Sequence, residues 1–157
     1  MKSNKQIHLL IASTIGLFFI LDQYLKWQSL HGWSETHLLH KFFGWQPFLN
    51  PGVAFGLPFP NILQIIFSMI IIVIISYIFF TLTSSNTKKL YLTRYSLLLI
   101  LVGATSNLID RLIYQNTVDY FLVLTGIINI ADIMIVVGFI LFFYQNFKQP
   151  SSTGNPS

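Results

Sequence analysis

Residues 129–143 read NIADIMIVVGFILFF, and the fold turns on how this stretch is taken. From Ile133 onward it is apolar enough to cross a lipid bilayer. Its opening turn, however, carries Asn129 and Asp132, an amide and a carboxylate close to where hydrocarbon begins. An ionised Asp at the centre of a membrane helix costs about 2.5–3.5 kcal/mol even on insertion scales that allow for relief. Such a group is either paired or used.

Three further stretches have the same character. With the first, they give four apolar runs near 8–27, 61–83, 91–112 and 127–147, each close to the roughly 20 residues that span hydrocarbon. The chain is 54% hydrophobic and 9% charged over 157 residues. A soluble domain has about 25% charged residues, so the composition points to an integral membrane protein of one domain. Lys2 and Lys5 precede the first run, Lys88, Lys89 and Arg94 fall at the second–third connection, and Lys148 follows the fourth. By the positive-inside rule both termini are cytoplasmic, and the net charge of +4 reflects topology rather than nucleic-acid binding. The first run follows two lysines as a signal peptide would, but no small-residue cleavage site follows it, so it is read as a retained span. The expected architecture is an all-α, four-span domain over residues 1–147, followed by a polar, disordered tail over 148–157. The aromatic, Gly- and Pro-punctuated segment 28–60 is expected to form a small strand or loop platform at the outer interface, with 32–59 partly covering a cleft.

That topology organises the few polar groups. The chain has five acidic residues: Asp22, Glu35, Asp110, Asp119 and Asp132. Asp22 and Lys26 lie near the outer end of the first span, four apart and on one face. Asn107, Asp110 and Arg111 form a stripe at the outer end of the third. Asn129 and Asp132 occupy the outer turns of the fourth, with Asp132 about 8 Å along a helix that starts near Ile127. Asp119 falls in the short outer connection, and Asn50 and Gly52 stand just before the second span. Four of the five acids and three asparagines thus gather near one leaflet.

Structural readings stand beside the functional ones. Asp22 and Lys26 form a neutralising pair with Lys26 snorkelling outward. Asp110 and Arg111 form a second pair that positions neighbours, Asn129 is a helix cap or an interhelical hydrogen bond, and Gly52 marks a turn. His31, His37 and His40 with Glu35 lack the spacing of a helical zinc site, and no metal or cofactor is expected. The chain has no cysteine, which excludes a thiol nucleophile and Cys-ligated zinc. Two carboxylates close together in a low-dielectric pocket share one proton, so the pair acts as acid and base on a water molecule. A small proton-coupled transporter or a membrane scaffold also accommodates intramembrane acids. The acids gather at one leaflet only, which a transport path would not.

The motifs LDQYLKW (21–27), NPGVAFG (50–56), GATSNLIDR (103–111), TVDYF (117–121) and INIAD (128–132) occur in an order that resembles the lipoprotein signal peptidase, or signal peptidase II, family. The resemblance implies an aspartyl endopeptidase of the bacterial cytoplasmic (inner) membrane, multi-pass and metal-independent, that removes signal peptides from prolipoproteins before a diacylglyceryl-modified cysteine. It implies Asp119 and Asp132 as the catalytic pair, and Asn50, Asn107, Arg111 and Asn129 along the substrate cleft. Asp110 is implied as a support beside the Arg, with Asp22, Lys26 and Gly52 also supporting. The implied partners are prolipoproteins and membrane lipids, with no nucleic acid; the enzyme is expected to be monomeric, its site toward the outer leaflet. The sequence departs from the family pattern at Ala104 and Ser106, where glycines are usual, and at Tyr120 and Ile128, where Phe is usual.

Overall fold

Each of the four apolar runs contributes a helix to the computed structural model, which describes residues 4–52, 59–84 and 91–147. The helices are α1 (Asn4–His31), α2 (Asn61–Ser84), α3 (Tyr91–Tyr114) and α4 (Ile130–Phe147). Their ends follow local chemistry. The N–H groups of Gly32 and Trp33 both close α1 on the Gln28 carbonyl, at 2.9 and 2.7 Å. Pro60 precedes α2, and its carbonyl accepts the N–H groups of Leu63 and Gln64. Gln115 ends α3 in the left-handed region at φ 60°, the usual geometry just past a helix C-terminus.

Three of these helices are long and apolar enough to cross a membrane: His8–His31, Asn61–Leu82 and Tyr91–Tyr114. The fourth apolar helix is shorter, Ile130–Gln145. It starts three residues later than the hydropathy suggests, because Gly126–Ile128 pair with a strand instead. An all-α description therefore needs correcting. Strands β1 (His37–His40), β2 (Phe43–Asn50), β3 (Thr117–Val123) and β4 (Gly126–Ile128) form one antiparallel sheet in the order β1-β2-β3-β4. Segment 28–60 supplies two strands as expected. The other two come from the connection between α3 and α4, so Asp119 stands on a strand. Lys2, Lys88, Lys89, Lys148, the tail 148–157 and the 53–58 part of the expected cover lie outside the described residues.

The molecule is turned inside out relative to a soluble domain. Large apolar side chains such as Leu9, Leu17, Ile20, Ile62, Val73, Phe80 and Ile140 are exposed, while Asp22, Lys26, Asp110, Ser106 and Asn129 are buried. Exposed apolar surface on this scale marks a face that meets lipid. The interior charges sit where α1, α3, α4 and β3 converge.

Small residues let α3 and α4 approach closely. A Cβ on Gly138 would lie 2.7 Å from the Ser96 carbonyl oxygen, and one on Gly103 would lie 2.6 Å from that of Ala131. Both obstacles are backbone, so neither moves cheaply; small residues serve the same purpose at other membrane helix interfaces. Gly138→Val is expected to lower stability by about 1–3 kcal/mol, as overpacking does, read as an earlier thermal transition in detergent. An unchanged transition would contradict this packing.

Candidate active site

The carboxylates come together through one buried asparagine. Asn129 is the N-cap of α4: its Oδ1 accepts the Asp132 N–H at 2.8 Å, and Asp132 Oδ2 accepts the Asn129 N–H at 3.2 Å. This reciprocal pair is a capping box built from Asn and Asp. It gives Asp132 a structural reason to stand in the first turn of α4. The Asn129 Nδ2 donates to Asp119 Oδ1 at 2.7 Å, to Asn107 Oδ1 at 3.1 Å and to the Val118 carbonyl at 3.3 Å. One amide thus links the carboxylate of β3 to that of α4.

A second layer fixes both acids from outside. Asn107 Nδ2 donates to Asp132 Oδ1 at 2.8 Å, and Asn50 Nδ2 donates to Asp119 Oδ2 at 3.0 Å. The Gly52 N–H donates to Asn50 Oδ1, which turns the Asn50 amide toward Asp119. Behind Asn107 lies Lys26, whose Nζ donates to Asn107 Oδ1 at 2.9 Å and pairs with Asp22 at 2.9 Å and Asp110 at 2.7 Å. Lys26 is 1% exposed, so it is buried rather than snorkelling. Asp110 pairs with Lys26 rather than with its neighbour Arg111, because α3 turns the two side chains to different sides. Asp22 also accepts the hydroxyls of Ser106 and Tyr120 and the Ala131 N–H. The Ile130 N–H goes to the Tyr120 hydroxyl, and with it the first N–H groups of α4 all have acceptors.

Asp119, Asp132, Asn50, Asn107, Arg111 and Thr117 line a cavity of about 350 Å³ whose remaining wall, including Ile127, Ile128, Ile135 and Val136, is apolar. Asn129 does not line it and is fully buried. Of the residues expected along the cleft, Asn50, Asn107 and Arg111 line it, and the amides of Asn50, Asn107 and Asn129 each hydrogen-bond a carboxylate. Arg111 is held by a residue that its sequence neighbourhood does not suggest. Its Nε donates to Gln64 Oε1 at 2.9 Å, while Gln64 Nε2 donates to the carbonyls of Pro51 and Phe59. Gln64 was legible only as a lone amide in an apolar run; Ser106 and Tyr120 gave no such signal.

Burial, reinforced by the Asp132 carboxylate, pushes the Asp119 carboxyl up to about 7, against hydrogen bonds from Asn50 and Asn129 that pull it down. Burial and the Asp22 carboxylate hold the Tyr120 hydroxyl well above the ordinary phenol range, so it stays a donor. A carboxyl that keeps its proton near neutrality beside a second carboxylate has the equipment of an acid–base pair. Elsewhere, His31 Nδ1 meets the Trp27 carbonyl, and His37 and His40 lie on β1. Among the described residues, no three His, Asp or Glu are grouped to hold a metal ion.

Comparison with known proteins points one way. The family model described as signal peptidase (SPase) II matches residues 14–148. A lipoprotein signal peptidase of Pelodictyon phaeoclathratiforme is 31% identical over 92% of this chain and 96% of its own. The protein of the same name from Syntrophus aciditrophicus is 30% identical over 90% and 93%. That from Thermodesulfovibrio yellowstonii is 31% identical over 89% and 97%. A bacterial membrane enzyme solved at 2.3 Å by the in meso method aligns with a TM-score of 0.75 over 97% of this chain and 94% of its own, at 24% identity. That last likeness is one of fold.

Proposed function

Because the chain belongs to the signal peptidase II family, we propose that it removes signal peptides from prolipoproteins, cutting before a diacylglyceryl-modified cysteine, with Asp119 and Asp132 as the catalytic pair. The observation that carries this reading is the meeting of two carboxylates from separate elements in one half-apolar cavity, bridged by Asn129.

The chemistry needs one proton on the pair. Asp119, raised to about 7, holds it at neutral pH, and Asp132 takes a proton from a water molecule as that water attacks the scissile carbonyl carbon. Asp119 gives its proton to the carbonyl oxygen, producing a neutral tetrahedral diol. Collapse of the diol returns a proton to the pair while the leaving nitrogen takes another, and the C–N bond breaks to give acid and amine. The Arg111 guanidinium, oriented by Gln64, faces the bound peptide and supports charge that develops on the carbonyl oxygen. No metal takes part.

The placement follows from the substrate. A signal peptide is an apolar helix in the bilayer, and the lipid on its cysteine is also held there, so the acids must stand at the edge of hydrocarbon. We assign the protein to the bacterial cytoplasmic membrane with α4 as a fourth span, both termini cytoplasmic and the site toward the outer leaflet. It acts as a monomer on prolipoproteins among membrane lipids.

Purified protein in detergent, given a diacylglyceryl-modified prolipoprotein and excess EDTA, is expected to release the signal peptide and leave the modified cysteine at the new N-terminus, as read by mass spectrometry. Cleavage at another bond, or activity that needs an added divalent ion, would refute the reading.

A further inference from the structure

We propose that Thr117 is a substrate-binding residue of this site, its hydroxyl hydrogen-bonding a backbone group of the bound peptide about two residues from the scissile bond. The inference rests on the protease reading above and assigns a contact which that reading does not contain.

Thr117 opens β3, two residues before Asp119. Alternate residues of a strand share a face, so the two side chains project to the same side. Both line the cavity. Thr117 is 3% exposed, yet among the described residues its Oγ1 has no hydrogen-bond partner. Asp110 Oδ1 and Asn61 Oδ1 are also unpartnered, but neither residue lines the cavity. A buried hydroxyl without a partner is unfavourable. It is explained at a binding site, where the partner arrives with the ligand.

The surroundings narrow what that partner is. In the β2–β3 register Asn50 stands opposite Thr117, and Phe48 opposite Asp119. Asn50 turns its amide to Asp119 and Gly52, which leaves the Thr117 hydroxyl unpaired among the described residues. Two residues of strand advance about 6.7 Å, which is also the advance of two residues of substrate once the helix is unwound to an extended peptide around the scissile bond. A peptide whose scissile carbonyl lies at Asp119 therefore brings a backbone N–H or C=O, about two residues away, to Thr117. A hydroxyl both donates and accepts and serves either group. No side chain of particular type is required of the substrate.

The test is kinetic and separates binding from support. Thr117→Val keeps shape and strand preference and removes only the hydroxyl. The expected result is a KM about tenfold higher with kcat nearly unchanged, since the bond is made equally in ground and transition states. The melting temperature without substrate should be unchanged or higher, because an unpartnered buried hydroxyl has gone. Thr117→Ser should retain a KM within about threefold of the wild type. Equal KM for the wild type and Thr117→Val overturns the inference alone. A parallel loss of melting temperature and activity in Thr117→Val, unrescued by Thr117→Ser, also overturns it, since that pattern belongs to a structural residue. No cleavage by the wild type overturns the protease reading, and this inference with it.

Discussion

Replacing either Asp119 or Asp132 by Asn is expected to lower turnover of a lipid-modified prolipoprotein by about 10²–10⁴-fold, the range of a lost general acid or base. Asn is almost the same shape but cannot exchange a proton at neutral pH. The double variant should be little worse than either single one, because residues acting as a unit are not additive. Stability should respond differently at the two positions. Asp132 closes the capping box with the Asn129 N–H, so Asp132→Asn weakens the start of α4. Asp119 holds its proton to about pH 7 when folded, against an ordinary value of 3.8. The folded state therefore binds more protons between those values. Its contribution to stability is complete below about pH 4 and is lost as pH rises through 7. Asp119→Asn has no such dependence, so its melting temperature should gain on the wild type between pH 5 and 8. Near-normal turnover in either single variant would remove that residue from the pair.

Lys26→Met is expected to be the most damaging substitution away from the cavity. One ammonium group satisfies Asp22, Asp110, Asn107 and Ser106. Without it two buried carboxylates face each other with no cation between them. Breaking one buried pair costs about 3–5 kcal/mol, and at about 2–4 °C per kcal/mol for a chain of this size the transition should fall by about 10 °C or more. Removing all the charges together, as Asp22→Asn/Lys26→Met/Asp110→Asn, should recover part of that loss, since no unpaired ion remains in the interior. Thermal unfolding in detergent reads both results. A Lys26→Met protein as stable as the wild type would contradict the view that this cluster supports the site from behind.

The helices were legible from residue chemistry alone because length and hydropathy suffice to find them. The Asp22–Lys26 pair was legible too, since a spacing of four is a local signal. The sheet was only half visible. FLVLTGII, residues 121–128, is as apolar as the helix that follows, and hydropathy does not separate a short buried strand from the start of a span. The divide lies at Asn129, which reads as a cap only once Asp132 is seen three residues on. Long-range partners were invisible for a different reason. That Lys26 meets Asp110, 84 residues away, or that Gln64 holds Arg111, depends on which helix faces which. The same limit hid Ser106 and Tyr120, whose hydroxyls converge on Asp22 from α3 and β3.

The most direct test of the carboxylate pair is the pH dependence of kcat/KM for prolipoprotein cleavage. Asp119 is set by burial, by Asp132 on α4 and by hydrogen bonds from Asn50 and Asn129, with Lys26 behind. The pair titrates as a unit and is active while it carries a single proton. The expected profile is a bell whose alkaline limb falls near pH 7, and Asp119→Asn should stay about 10²–10⁴-fold lower across the whole range. A rate that rises through pH 7 and holds to pH 9, as a histidine or lysine base would give, would contradict catalysis by Asp119 and Asp132.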